Sequence, residues 1–231
     1  MAKPRHYAAL AVTDISAKGF GVAKADKRVV FVKNAIRGDV VDVRIIGRKK
    51  KALLAEIDTL ITPSPQRVEP RCQHFLDCGG CKIQNLDYQA QLTYKEQQVH
   101  DALTRIAGLE EVEIQAILPA EPHFYYRNKV EFTFSNKRWL TQSEIEMQRD
   151  YDRRALGFHV PAFFDKVLDI DECHLHEDRL NALRNEIRDY ARAHDLPFFD
   201  IRAQEGFLRN LVIRTSVTTG EVLVMLIVFE D

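Results

Sequence analysis

The sequence lacks the features of membrane-spanning, fibrous and secreted disulfide-rich proteins. Its longest purely apolar run has eight residues, Val222–Phe229, whereas a membrane helix needs roughly 20. The first residues contain no apolar stretch that could serve as a secretory signal, and no internal repeat or low-complexity tract is present. Cysteine is scarce, at four in 231 residues. We therefore expect a globular, cytoplasmic protein with no membrane association and no obligate protein partner, in which thiols more often bind metals than form disulfides.

Charge is distributed unevenly along the chain, although the net charge is only −1. Residues 1–61 contain 13 basic and 6 acidic side chains, a balance of +7, and residues 62–231 have a balance of −8. A basic first segment followed by an acidic remainder indicates that one domain binds a polyanion. The alternative is a small domain whose solvated face happens to be rich in lysine.

Short apolar strands separated by glycine-containing turns fill residues 1–62. Five or so such strands in about 60 residues are typical of a small closed barrel of the oligonucleotide-binding type. Lysines beside an exposed ring suit RNA, because the cations neutralise phosphates while the ring stacks on a base. The exposed ring belongs to Phe20, which could instead close the mouth of the barrel. The residues of this segment that we expect to bind RNA are Lys18, Phe20, Lys24, Lys49, Lys50 and Lys51.

The remaining chain alternates between strand and helix patterns after a proline-rich linker. Apolar residues recur at helical spacing in Tyr88–Leu109 and Glu177–Ala193, and three strands are predicted at Tyr126–Phe134, Phe207–Ser216 and Glu221–Phe229. The predicted fold class is thus mainly β with α (α+β). We expect four segments: an OB-like barrel at 1–62, a cysteine segment at 63–87, a helix at 88–118, and a β-rich domain with the second amphipathic helix at 119–231.

A polar triplet lies at the start of one predicted strand. Arg127, Asn128 and Lys129 are expected to form an RNA-facing edge, although ordinary alternation of a solvent-exposed face explains them equally well.

All four cysteines fit one metal-binding pattern. Cys72, Cys78 and Cys81 are spaced C-x5-C-x2-C, and Cys173 follows far downstream. The turn between the last two of the triplet is Gly79–Gly80, which directs both sulfurs inward and leaves backbone N–H groups free to approach them. Four thiolates suit a [4Fe–4S] cluster or a tetrahedral zinc ion, and unligated structural cysteines are the third explanation. At zinc, a thiolate could be replaced by one of three nearby histidines, His74, His174 or His176.

The order of these motifs along the chain supports a more specific interpretation. The motifs are Lys18–Lys24, Val30–Lys33 with Gly38 and Asp39, Pro70–Phe75, Cys78–Gln84 with Tyr88 and Gln91, Tyr126–Phe132, Cys173, and Leu208–Arg214. Together they resemble the S-adenosylmethionine-dependent 23S ribosomal RNA (uracil-5-)-methyltransferases, in which a TRAM barrel precedes a [4Fe–4S] domain. The resemblance covers nearly the whole chain, and the C-x5-C-G-G-C element is its most specific part.

The resemblance implies a [4Fe–4S] cluster on Cys72, Cys78, Cys81 and Cys173, ribosomal RNA as the partner, and S-adenosylmethionine as the methyl donor. Ribosomal RNA is expected because the transfer-RNA-directed type lacks both the barrel and the four cysteines. A free-standing zinc- or cluster-binding RNA-binding module without catalytic activity is the alternative function.

The resemblance also implies that the chain lacks its catalytic machinery. The family adds a cysteine thiolate to C6 of uracil, and here every cysteine is assigned to the cluster. We find neither a catalytic residue nor a Gly-rich turn that would bind S-adenosylmethionine. We therefore expect an N-terminal fragment, inactive alone, whose helix at 88–118 packs on a missing C-terminal domain. That packing would leave four apolar side chains of the helix uncovered in this chain: Leu92, Val99, Leu103 and Ile106.

Overall fold

Two six-stranded sheets are formed by the residues that the computed structural model describes, which are 5–49, 51–109 and 111–229. They belong to two units. One comprises Met1–Pro70 and Lys82–Pro119, and the other comprises Arg71–Cys81 and Ala120–Asp231. The expected mainly-β class with few helices is confirmed. Residues 71–81, which carry Cys72, Cys78 and Cys81, belong to the second unit, whereas the rest of the cysteine segment and the helix that follows it belong to the first. The four expected segments stay a prediction.

The sheet of the first unit has the strand order β1-β5-β6-β4-β3-β2. β4 and β6 are parallel and the other neighbours are antiparallel. Inward-facing valines and alanines alternate with exposed residues and form its core. In the described ladders β1 and β2 are the two edges, so the closed barrel remains an expectation. The strands are β1 (His6–Ala11), β2 (Asp14–Ile15), β3 (Gly21–Ala25), β4 (Arg28–Val32), β5 (Val40–Lys49) and β6 (Ala52–Thr62).

The first helix, α1 (Tyr88–Asp101), continues as a π-helical turn at Ala102–Ile106. It begins at Asp87, whose carboxylate accepts hydrogen bonds from the backbone of Gln89 and Ala90. Its first half packs on its own unit, because Ala90 and Tyr94 join Ile15, Ile36 and Leu86 in one apolar cluster. The expected uncovered stripe is therefore only partly present: Leu92 is buried and Leu103 is half-buried, whereas Val99 and Ile106 are exposed.

The sheet of the second unit has the order β12-β11-β7-β9-β10-β8, with only β10 and β8 parallel. A long helix, α3 (Asp178–Ala193), covers one face and confirms the second predicted helix. Its Leu180 and Ala191 pack with Phe132, Phe134 and Leu156 of the sheet. The strands are β7 (Lys129–Ser135), β8 (Arg138–Trp139), β9 (Ala155–His159), β10 (Val167–Asp169), β11 (Leu208–Thr215) and β12 (Val222–Val228), and a short α2 spans Gln142–Glu146.

Across the described ranges, no helix has both the length and the apolarity needed to span a membrane.

Candidate functional site

The first three cysteines lie on a run of tight turns. The backbone N–H of Phe75 donates to the carbonyl of Cys72 at 3.1 Å, and that of Cys78 donates to the carbonyl of His74 at 2.8 Å. The Phe75 side chain is buried and anchors the turn. This local folding shortens the segment and brings Cys72 back towards the Cys78–Cys81 pair.

The fourth cysteine belongs to the same neighbourhood. Cys173 is buried in an apolar cluster with Leu168 and Ile170, and both Cys78 and Cys81 pack against that cluster. Burial raises the pKa of the Cys72 thiol, and the charges of the Cys81 and Cys173 sulfurs raise it further. All four sulfurs therefore lie in one region of the second unit, although Cys173 is far from the others in sequence.

The glycine pair between Cys78 and Cys81 has two separate roles. The backbone N–H of Gly80 donates to the Cys78 sulfur at 3.3 Å, as expected from the sequence. Gly79 lies against the backbone of His159, where an added Cβ would be only 2.6 Å from the carbonyl oxygen. Any other residue at position 79 would push this turn away from the strand β9 that supports it.

Side chains of helix α3 hold the backbone of Cys173 in place. The Asn181 side chain accepts a hydrogen bond from the Cys173 N–H at 2.9 Å and donates to the Cys173 carbonyl at 3.3 Å. Arg184 is fully buried, donates to the same Asn181 oxygen at 2.9 Å, and also donates to the carbonyl of Asp171. Neither Asn181 nor Arg184 belongs to a motif that predicts this role from the sequence, because only the fold brings helix α3 to Cys173.

Three of the thiols, those of Cys72, Cys78 and Cys173, have a raised pKa and hold their protons at neutral pH. Burial raises the pKa of Cys78 to about 12 and also raises the pKa of Cys173. Thiolates are the form that binds metals, so loading of the site must release protons. Burial likewise lowers the pKa of His74, and that of His176 to about 4, so both rings are neutral.

The described side chains do not by themselves form a finished metal site. Among residues 5–49, 51–109 and 111–229, no group of three or more His, Cys, Asp or Glu side chains is arranged to hold a metal ion. The donor set nevertheless fits thiolate ligation. The sulfurs of Cys78, Cys81 and Cys173 share one apolar cluster, and Cys72 lies close enough to interact with Cys81 and Cys173. Backbone N–H groups of His74, Gly80 and Leu175 point at three of the four sulfurs.

The residues expected to bind RNA in the first unit lie on its surface. Lys18 and Lys24 are exposed, and Lys51 is exposed in the turn between β5 and β6. Phe20 is half-buried, with its ring centroid 6.5 Å from that of Phe31. Of the other two expected residues, Lys50 and the side chain of Lys49 lie outside the described part of the chain.

The polar triplet Arg127, Asn128 and Lys129 is exposed in the second unit. The backbone N–H of Arg127 donates to the carbonyl of Leu175 at 2.7 Å. The pKa of Cys173 is raised by burial, and the positive charge of Arg127 opposes part of that rise. Lys129 lies opposite Arg214 in the ladder between β7 and β11. Two cations therefore lie side by side on this sheet, and a third adjoins the cysteine region.

Comparison with known proteins shows what this architecture is similar to. Residues 10–66 match the family model of the TRAM domain of tRNA (uracil(54)-C(5))-methyltransferase. The chain is 49% identical over 214 residues to an uncharacterized RNA methyltransferase of Bacteroides thetaiotaomicron, covering 92% of this chain and 47% of that protein. It is 39% identical to another from Chlorobaculum tepidum, covering 94% and 46%. Residues 10–66 are thus similar to a TRAM domain, and nearly the whole chain is similar to part of RNA methyltransferases.

A solved structure is also similar. The crystal structure of Pyrococcus abyssi tRNA (uracil-54, C5)-methyltransferase in complex with S-adenosyl-L-homocysteine matches with a TM-score of 0.68 and 28% identity, covering 96% of this chain and 46% of that one. The chain spans about half the length of the curated relatives it matches. The expectation that transfer-RNA-directed enzymes lack the first domain is wrong, because the matching TRAM model is that of a tRNA enzyme.

Proposed function

We propose that this chain is the RNA-recognition and iron–sulfur portion of a methyltransferase that transfers a methyl group from S-adenosylmethionine to C5 of a uridine in 23S ribosomal RNA. The observation that carries the proposal is the similarity to RNA methyltransferases along nearly the whole chain, with a TRAM match at residues 10–66. The basic balance of residues 1–61 supports RNA as the ligand, because phosphate neutralisation supplies most of the affinity for nucleic acids.

The residues proposed to contact RNA are several exposed cations and one aromatic ring. Lys18, Lys24 and Lys51 present charge to the phosphate backbone, and the half-buried ring of Phe20 offers a stacking face. In the second unit, Arg127, Asn128 and Lys129 extend the polar surface, and the pairing of Lys129 with Arg214 concentrates charge there. Lys49 and Lys50 remain part of the proposal from their sequence position alone.

For the cysteines we propose a [4Fe–4S] cluster held by Cys72, Cys78, Cys81 and Cys173. The cluster would supply a rigid cross-link between the cysteine turns and the segment before α3, and it takes no part in methyl transfer. Its support is the shared apolar region and the N–H groups aimed at sulfur. Zinc on the same thiols is the alternative, and it would leave the site colourless.

Methyl transfer to C5 of uracil requires a nucleophile that adds to C6, so that C5 becomes carbanion-like and attacks the methyl group of the donor. With all four thiols of this chain committed to the cluster, we assign no catalytic residue and no donor-binding residue to it. S-adenosylmethionine as the donor is supported by the S-adenosyl-L-homocysteine bound to the Pyrococcus abyssi enzyme.

The RNA class is tested by competition. A labelled 23S ribosomal RNA fragment that contains a uridine-bearing loop is bound to the chain and displaced by unlabelled fragment, by tRNA transcript or by duplex DNA. We expect the ribosomal fragment to compete at a concentration at least about tenfold lower than tRNA.

Transfer RNA is the second candidate substrate, because both the matching TRAM model and the similar crystal structure belong to tRNA enzymes. Stronger competition by tRNA would replace ribosomal RNA in the proposal. If neither RNA competes better than duplex DNA, RNA recognition itself is wrong.

A further inference from the structure

A cavity of about 440 Å³ opens in the first unit beside the loop that carries Lys18 and Phe20. This loop, Ser16–Phe20, forms one wall, the segment Lys82–Ile83 forms the second, and α1 forms the third. The volume lies within the range of roughly 300–1,000 Å³ that accommodates small organic ligands. All of its lining residues belong to the same unit.

Charge around the cavity has one sign. Three lysines line it, Lys18 from the loop, Lys82 from the second wall and Lys95 from α1. No aspartate or glutamate is among its described lining residues, and none of these lysines is paired with an acidic group in the part of the chain that the structure describes. The surroundings therefore favour an anionic ligand.

The interior of the cavity is apolar and aromatic. Tyr94 is buried, with its hydroxyl 3.4 Å from the Gln66 side-chain oxygen, so its ring is held in place. The Gln91 amide donates to the carbonyls of Ile83 and Leu86, which fixes the floor of the cavity. Phe20, which belongs to the loop itself, contributes a second aromatic ring.

The loop and the second wall meet at a glycine. Gly19 has a φ of +77°, and a Cβ added there would be 2.8 Å from the Cβ of Lys82. A side chain at position 19 would be strained and would push the loop away from Lys82. The Gly-Phe-Gly turn thus closes one side of the cavity and presents Phe20 at its edge.

We propose that this cavity binds one unpaired nucleotide of an RNA strand. Its base would enter the apolar interior against Phe20 and Tyr94, while the adjoining phosphates contact Lys18, Lys82 and Lys95. This inference rests on the proposed function for the identity of the polymer as RNA. It adds residues of α1 and of the segment after Cys81 to the RNA-binding surface.

The test separates ring contacts from charge contacts. The full chain and its variants are titrated with a labelled uridine-rich single-stranded RNA and, in parallel, with inorganic polyphosphate, which has charge but no bases. Lys95→Gln should weaken binding of both polymers by at least about threefold. Phe20→Ala should weaken RNA binding by at least about fivefold and leave polyphosphate binding unchanged, because only bases stack. Phe20→Tyr should restore RNA binding.

The matched control is Lys27→Gln, which removes the same charge from an exposed turn of this unit that does not line the cavity. It should change RNA affinity by less than about twofold. If Phe20→Ala and Lys95→Gln bind RNA as tightly as Lys27→Gln does, the cavity is not a nucleotide site, whereas RNA recognition by the chain stands. If the unaltered chain binds no RNA, both proposals fail.

A second measurement uses the unaltered chain and therefore tests the proposal even if a variant does not fold. RNA carrying 4-thiouridine is irradiated with the unaltered chain, and the cross-linked peptides are identified by mass spectrometry. We expect cross-links to the peptides that contain Phe20 and Tyr94. Cross-links confined to other peptides would overturn the proposal.

Discussion

Replacement of Cys78 by alanine is expected to abolish iron binding and to destabilise the second unit strongly. The Cys78 sulfur packs against the apolar cluster around Cys173 and accepts the Gly80 N–H. Structural metal sites contribute on the order of 10 kcal/mol to folding, so losing one of four ligands removes a large share of the stability. After anaerobic reconstitution, the unaltered chain should hold about four irons and show a visible absorption band near roughly 400 nm, and the variant should hold less than about one iron.

A neighbouring truncation provides the control. Val160→Ala shortens a side chain of the same apolar cluster without removing a sulfur, and it should cost only about 1 kcal/mol while iron content is kept. If the chain takes up one zinc ion and no iron, the metal at this site is zinc and the iron–sulfur proposal is wrong. Four freely reactive thiols with neither metal bound would contradict the cluster.

Replacing Asp39 with alanine should lower the free energy of unfolding by about 3–5 kcal/mol. The Asp39 side chain is completely buried and accepts hydrogen bonds from the N–H groups of Ile36 at 2.8 Å and Ser64 at 2.9 Å. It also pairs with Arg67, which is only about one-fifth exposed, at 2.5 Å. Its removal leaves two N–H groups and a guanidinium largely out of water without partners. Urea denaturation measures the loss.

The surface carboxylate Asp58 is the matched control, because its pairs with His6 and Arg44 are partly exposed. Asp58→Ala should cost less than about 1 kcal/mol. Equal losses for the two variants would mean that the buried network around Asp39 does not hold the linker onto the first sheet.

Sequence patterns predicted the elements whose periodicity is local. The predicted strand Phe207–Ser216 and the predicted helix Glu177–Ala193 both end within one residue of the observed bounds of β11 and α3. Strands β9 and β10 were missed because they are short and buried on both faces, which erases alternation. The π-helical turn after α1 also has no pattern of its own in the sequence.

The candidate site likewise has some features that a local sequence pattern predicts and others that depend on tertiary folding. The spacing of Cys72, Cys78 and Cys81 is local and could be recognised directly, whereas the hold of Asn181 on Cys173 depends on how α3 returns to the cysteine turns. Helix α1 was expected to pack elsewhere, because an apolar stripe does not say which surface it covers. Its contact with Ile15 and Ile36 depends on tertiary folding, and this contact brings Tyr94 and Lys95 to the Lys18 loop.

The affinity of the chain for single-stranded RNA as a function of salt tests the central claim, RNA recognition, most directly. Phosphate contacts by Lys18, Lys24 and Lys51 alone predict that the logarithm of the binding constant falls linearly with the logarithm of salt concentration, with a slope of about −2 or steeper. Fluorescence anisotropy between about 50 and 300 mM KCl measures this slope. A slope near zero, or no binding at the lowest salt, would contradict the account.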